Sequence, residues 1–355
     1  MEQVYALGVS CIEFVQYWFE DWSWYFELVN HLSNPHNMLE ILFPLISIFD
    51  SVFASQLLLV MAVGGWVNSI TKWILLEDRP FWWVRETTFY TSPPQLYQTD
   101  QTCETGPGSP SGHSCAAAEV LILIIMWGQH IFNDRKWSPW WKHAVYPFFA
   151  ISIISVMLAR LYIATHFPHQ CLLGAMIGVF LAPALCIYVS DPFIWRYGSS
   201  TPVQNTVVKH VIVSVVMGSI GLGMYWAMKF FGIDPHYTVQ LAFRWCNSPS
   251  SIAVSTTPLY SLVHTTAAML SWSLCVTPAV DRYRHNTTNR SLLISIFATG
   301  LSIFGFKQLE LNITRANAFF FYMSHFILNT VKPAIFLVLI PSLSMWPYSS
   351  KEKIN

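Results

Sequence analysis

The chain alternates long apolar stretches with short polar interruptions from one end to the other. Windows bounded by proline, glycine or charge fall at about 28–49, 57–76, 115–132, 144–164, 171–190, 207–231, 252–276, 292–308 and 318–342, each near the ~20 residues that a helix needs to cross a bilayer. Strand-like alternation is absent, and irregular backbone cannot face lipid. The pattern therefore predicts an all-α polytopic membrane protein with about nine transmembrane helices. No internal repeat or low-complexity tract divides the series, so a single transmembrane domain over 1–355 is expected.

Composition strengthens this reading. With 54% hydrophobic and only 11% charged residues, the chain has too few charges to cover a soluble globule of its size. Nineteen basic and nineteen acidic residues balance, and no run of like charge suggests nucleic acid as a partner. The seven cysteines contain no C-x-x-C pair and read mostly as buried small apolar residues, with a bridge between Cys103 and Cys246 left open. No basic residue precedes Lys72, so the start lacks the positive region of a cleavable signal peptide and the first span is expected to direct insertion.

An odd number of spans places the termini on opposite faces. With the N-terminus lumenal, Arg135, Lys136, Lys142, Arg196, Lys209, Arg282, Arg284 and Arg290 fall in cytoplasmic loops, as the positive-inside rule prefers. The last five residues, Lys351-Glu352-Lys353-Ile354-Asn355, resemble a dilysine retrieval signal of the endoplasmic reticulum, which operates on a cytoplasmic tail such as 343–355. Of three sequons, those at Asn286 and Asn289 are cytoplasmic on this topology, whereas Asn312 is lumenal and close to the membrane.

Three polar segments stand out against this background. Lys72 and Arg79 are seven residues apart, a spacing that returns to nearly the same face of a continuous helix. The loop Cys103-Glu104-Thr105-Gly106-Pro107-Gly108-Ser109-Pro110-Ser111-Gly112-His113 leads into the third span, where backbone N–H groups at a helix N-terminus suit an oxyanion. The third segment runs from Arg160 to Gln170, and its Pro168 should stop one helix or open the next, leaving His166 at a turn. All three belong on the same membrane face. Three cations, an anion cradle and two histidines converging there suit a phosphate dianion.

Lys72-x6-Arg79-Pro80, Pro110-Ser111-Gly112-His113 and Arg160-x5-His166 together resemble the three-part signature of the type 2 phosphatidic acid phosphatase superfamily. The likeness narrows to the glucose-6-phosphatase family through Lys72-Trp73-Ile74-Leu75, Arg79 to Val84, the whole stretch Cys103 to His113, and His166-Phe167-Pro168-His169-Gln170. Further similarity lies at Arg244-Trp245-Cys246 and Thr256-Thr257-Pro258. The resemblance implies a phosphatidic acid phosphatase type 2/haloperoxidase-like helical core, here about 57–190, with additional spans over about 207–342. It also implies a lumenal active site and hydrolysis of glucose 6-phosphate without metal or cofactor, in the service of glucose production. A transporter delivering glucose 6-phosphate, and the lipid around the spans, are the partners this implies.

On that resemblance His166 is the nucleophile, forming a phosphohistidine, and His113 the general acid/base. Lys72, Arg79 and Arg160 hold the phosphate together with Ser111 and Gly112. Gln170 supports His166 by accepting from its second ring nitrogen, and His169 lies in support behind it. Two positions depart from the superfamily pattern: Ala159 replaces the serine before the third-motif arginine, and Gln170 replaces an acid, the latter shared with the glucose-6-phosphatase branch. Glu77 and Asp78 are available as ordinary carboxylate partners for the cations, and Trp82 and Trp83 as interfacial anchors. No ligand-spaced cluster of Asp, Glu and His is apparent on the lumenal side. The alternatives are a lipid phosphate phosphatase, expected to have six spans and an acid at position 170, and a weakly active or non-catalytic paralogue.

Overall fold

Residues 1–134, 140–196, 203–277, 280 and 290–345 are described in the computed structural model, and helices dominate throughout. Seven helices among them are long and apolar enough to cross a membrane: Ser51–Glu86, Gly112–His130, His143–Tyr162, Pro168–Ile194, Thr206–Phe230, Leu292–Leu311 and Ala318–Met345. The other two expected spans take a different form. The apolar window at 28–49 is interrupted where one helix ends at Leu32 and the next begins at Pro35, leaving the shorter apolar helix Pro35–Phe49. The window at 252–276 becomes helical only from Pro258. Asn286, Asn289, Lys351 and Lys353 lie outside the described residues.

Contacts gather the chain into two compact units. One comprises Met1–Pro35, Gly64–Leu181 and Gly221–Leu262; the other comprises His36–Val63, Ala182–Ile220 and Val263–Asn355. The first holds all three polar segments.

Several local signals place that unit's helices. The N-terminal helix α1 (Glu2–Trp18) was not foreseen, although it buries Tyr5, Val9, Ile12 and Val15, spaced as one helical face. It is followed by α2 (Ser23–Leu32). The Asp50 carboxylate caps α3 (Ser51–Leu75), accepting from the N–H groups of Val52 at 2.9 Å and Phe53 at 3.0 Å. That helix ends at Leu76, which takes the left-handed conformation (φ 49°) before Pro80 opens α4 (Pro80–Glu86). Lys72 and Arg79 therefore do not share one continuous helix face, and their convergence comes from the reversal at 76–79.

Trp82 and Trp83, expected to anchor the membrane interface, are core residues instead. Trp82 is fully buried and donates from Nε1 to Asp78, and Trp83 packs edge-on against Tyr5 and Phe167. Helix α5 (Gly112–Asp134) carries His113 in its first turn, α6 (Trp141–Tyr162) carries Arg160 in its last, and Pro168 opens α7 (Pro168–Leu185). Pro168 thus leaves His166 in the turn 163–167, as its fixed φ and missing N–H dictate. Tyr5 stacks on Phe167 at 4.6 Å, so α1 buttresses that turn directly. Gly174 and Gly178 let α7 lie against the start of α5, because a Cβ at either would come within 2.3 Å of Ser111 O or 2.4 Å of Cys115 O.

Candidate active site

The convergence foreseen from sequence occurs. Lys72, Arg79, His113, Arg160 and His166 are all buried in one place within the first unit, and the loop 103–111 is wrapped between them. The loop is held by the Cys103–Cys246 disulfide, by the Ala253 N–H donating to Cys103 O at 3.0 Å, and by the Thr105 N–H donating to Thr256 Oγ1 at 2.8 Å. These partners account for the two further stretches of family-like sequence, Arg244–Cys246 and Thr256–Pro258. The open question of Cys103 and Cys246 is settled as a bridge, while Cys115, Cys171 and Cys186 are buried free thiols.

The loop presents carbonyl oxygens to the cations rather than N–H groups to an anion, which corrects the expected cradle. Lys72 Nζ donates to Pro107 O at 2.6 Å, and Arg79 donates from Nε to Gly106 O at 2.6 Å and from Nη2 to Pro107 O at 3.2 Å. The Gly108 N–H is committed to Glu77 O and the Ser111 N–H to Gln170 O. The Ser111 hydroxyl accepts from the Ser114 N–H at 3.4 Å, and Gly112 opens α5 beside Asn68. Chain carbonyls thus fix the cations in position before any anion arrives.

His166 is held in one tautomer. Its Nδ1 lies 2.7 Å from Gly108 O, which can only accept, so Nδ1 carries the proton. Its Nε2 lies 3.3 Å from Arg79 Nη1, which can only donate, so Nε2 presents a lone pair. Burial, reinforced by the Arg79 and Arg160 guanidiniums and opposed by Glu104, holds the His166 pKa well below the ordinary imidazole value. A neutral imidazole with an oriented lone pair is the form a nucleophile requires.

The residue that orients the ring is therefore the Gly108 carbonyl and not Gln170. The Gln170 amide accepts from the Phe167 N–H at 3.1 Å and donates to Glu77 Oε2 at 3.0 Å and Asp78 O at 2.9 Å. His169 meets the same Glu77 oxygen at 2.8 Å. Glu77 thus pairs with His169 and Gln170, tying the 76–79 reversal to the start of α7, and is not the counterion of the cations.

That counterion is Glu104, to which the sequence reading gave no role. Its Oε2 lies 2.7 Å from Arg79 Nη1 and its Oε1 2.5 Å from Arg160 Nη2. Burial alone would raise its pKa, but Arg160 and Arg79 outweigh that and hold the carboxyl well below the usual range. Arg160 Nη1 also donates to Asn30 Oδ1, which draws α2 into the site. A signal for Glu104 was present: three cations buried near a membrane need a counterion, and Glu104 is the only acid in the loop from Cys103 to His113.

At the centre, His113 Nε2 and Arg160 Nε are buried with no hydrogen-bond partner among the described residues. Orphaned buried polar atoms are rare and call for an explanation, and a polar ligand lodged among these cations would satisfy both.

In the second unit, one group of the described residues has the spacing of a metal site, His36, Glu40 and Glu310. Sequence scanning did not reveal it because Glu310 comes from a distant helix. The Lys332 ammonium bridges its two carboxylates, lying 3.1 Å from Glu40 Oε1 and pairing also with Glu310. The chain thus supplies its own cation there.

Comparison with known proteins identifies the family. The PAP2 superfamily profile matches residues 53–193. The dog glucose-6-phosphatase catalytic subunit 1 is 31% identical over 81% of this chain and 78% of its own length. The human glucose-6-phosphatase 2 is 34% identical over 74% of this chain and 73% of its own length. The rat glucose-6-phosphatase 3 is 27% identical over 96% of this chain and 95% of its own length. No solved structure matches.

Proposed function

The chain belongs to the glucose-6-phosphatase family and is a multi-pass membrane phosphatase acting on phosphoric monoesters, and from that premise we propose that it hydrolyses glucose 6-phosphate through a phosphohistidine. The observation that carries this reading is the fixed tautomer of His166, whose lone pair faces Arg79 beside the Glu104 carboxylate in a buried charged site. His166 Nε2 attacks phosphorus as the bond to the sugar oxygen breaks, and His113 supplies the proton that oxygen needs to depart as a hydroxyl. Lys72, Arg79 and Arg160 offset the charge on the phosphoryl oxygens, and Ser111 and Gly112 add hydrogen bonds. In the second half His113 accepts a proton from water as it attacks phosphorus, the P–N bond breaks, and phosphate leaves. Gln170 and His169 hold the turn that carries the nucleophile.

Phosphate release from glucose 6-phosphate, mannose 6-phosphate and a phosphatidic acid, measured in detergent-opened microsomes, tests the substrate. Glucose 6-phosphate is expected to be hydrolysed fastest, and a preference for the lipid would overturn the assignment.

We place the N-terminus and active site in the lumen of the endoplasmic reticulum and the tail in the cytoplasm. The Cys103–Cys246 bridge beside the site supports this, since such bonds persist in oxidising compartments. Intact vesicles are therefore expected to hydrolyse glucose 6-phosphate more slowly than opened ones, and equal rates would contradict the topology. Replacing Lys351 and Lys353 by serine is expected to release the protein toward the cell surface if the tail is a retrieval signal; unchanged reticular staining would mean another determinant retains it.

A further inference from the structure

The Glu104 carboxylate stands where a phosphoryl group has to be. Its two oxygens meet two guanidiniums, Arg79 at 2.7 Å and Arg160 at 2.5 Å, the pairing by which arginine grips phosphate. The same group lies 3.8 Å from His166 Nε2 and 3.6 Å from His113 Nδ1. Both histidines assigned to the reaction therefore look onto a carboxylate, and the His166 lone pair is covered by Arg79 Nη1 at 3.3 Å. A second anion cannot enter the same buried seat without strong repulsion.

We propose that Glu104 is the resting occupant of the phosphate seat, an internal anion that the substrate's phosphate displaces from Arg79 and Arg160. This rests on the reading above that the pocket binds the phosphate of a monoester. The backbone around Glu104 is fastened on either side, by the Cys103–Cys246 bridge and by the Thr105 N–H to Thr256 Oγ1. Exchange is thus a matter of side-chain rotation, with the loop staying in place. Between turnovers the arrangement spares the buried cations from standing uncompensated, which is costly in a dry site.

Displacement also sets a threshold for binding. The competitor carries one negative charge, so a monoanion gains nothing by taking its place. A dianion gains an additional unit of attraction to Lys72, Arg79 and Arg160. A phosphate monoester, with a second pKa of about 6, is mostly a dianion at neutral pH, whereas a diester is a monoanion. The dianion's advantage comes from the three cations; the resident carboxylate weakens both ligands equally, so a monoester still binds where a diester falls below measurable affinity. Glu104 lowers the apparent affinity for every anion by the fraction of time that the seat is vacated.

Binding of orthophosphate to the purified protein in detergent tests this. Glu104→Gln keeps the shape and removes the charge, so orthophosphate is expected to bind at least about tenfold more tightly, as expected if the carboxylate fills the seat nine-tenths of the time or more. The monoanionic diester bis(p-nitrophenyl) phosphate should become a measurable competitor of orthophosphate. Glu104→Asp keeps the charge but withdraws it by one methylene, and offers a second variant should the glutamine protein not fold; it too should bind orthophosphate more tightly. Unchanged or weaker binding in either variant would overturn the proposal and leave Glu104 as a strut that orients the two arginines. Because this readout needs no turnover, the two readings fail separately. A wild-type protein that hydrolyses no sugar phosphate counts against the assigned reaction, and a phosphate affinity unmoved by these substitutions counts against displacement.

Discussion

His166→Ala is expected to abolish turnover and the trapped phosphoenzyme together, with every substrate tried. The ring nitrogen Nε2 is the only protein atom in this scheme that bonds to phosphorus, and it is prepared for that by contacts that leave no alternative protonation. Gly108 O takes the Nδ1 proton at 2.7 Å, and Arg79 donates toward Nε2 at 3.3 Å. Alanine leaves the cations and His113 in place, so orthophosphate should still bind. A loss of at least about a thousandfold in kcat, with no labelled protein after quenching with labelled substrate, is the expected result. Retained labelling would place the covalent bond elsewhere.

His113→Ala is expected to separate substrates by their leaving groups. This residue acts on the other end of the breaking bond, and its worth depends on how much that oxygen needs a proton. A sugar alkoxide is a poor leaving group, so activity on glucose 6-phosphate should fall by about a hundredfold to ten-thousandfold, the usual range for a positioned general acid. A nitrophenolate leaves without help, so the variant should still form a phosphoenzyme from p-nitrophenyl phosphate. It should then stall, because the same imidazole is assigned to activating the water that releases phosphate. The structure leaves His113 Nε2 buried and without a hydrogen-bond partner among the described residues, the condition of a group waiting for substrate. If His113→Ala abolishes labelling while His166→Ala accumulates it, the two roles are reversed.

The amino-acid sequence by itself determined the membrane character, the helical class and which cations and histidines would gather in one place. Apolar windows of bilayer length are a one-dimensional property, and helices that cross lipid must satisfy their own backbone, so seven of the expected spans could be placed from the pattern alone. Motif spacing named Lys72, Arg79, His113, Arg160 and His166, because chemistry restricts residue types wherever an ionisable group sits in an apolar chain. Pro168 likewise announced the turn that carries His166.

What only the tertiary structure decided is how those groups are paired. Lys72 and Arg79 meet through a left-handed residue at Leu76, a conformation that a leucine does not advertise in sequence. Gln170 serves Glu77 and Phe167, while a backbone carbonyl at Gly108 orients the His166 ring. Main-chain oxygens are identical in every residue, so no motif can mark one as a ligand. Glu104 and Asn30 reach Arg160 from segments distant in the chain, and the N-terminal helix supports the turn that carries His166 through Tyr5 on Phe167. Such partners are chosen by the three-dimensional path of the chain, because a buried charge takes whichever counter-charge the fold carries to it, at whatever separation in sequence.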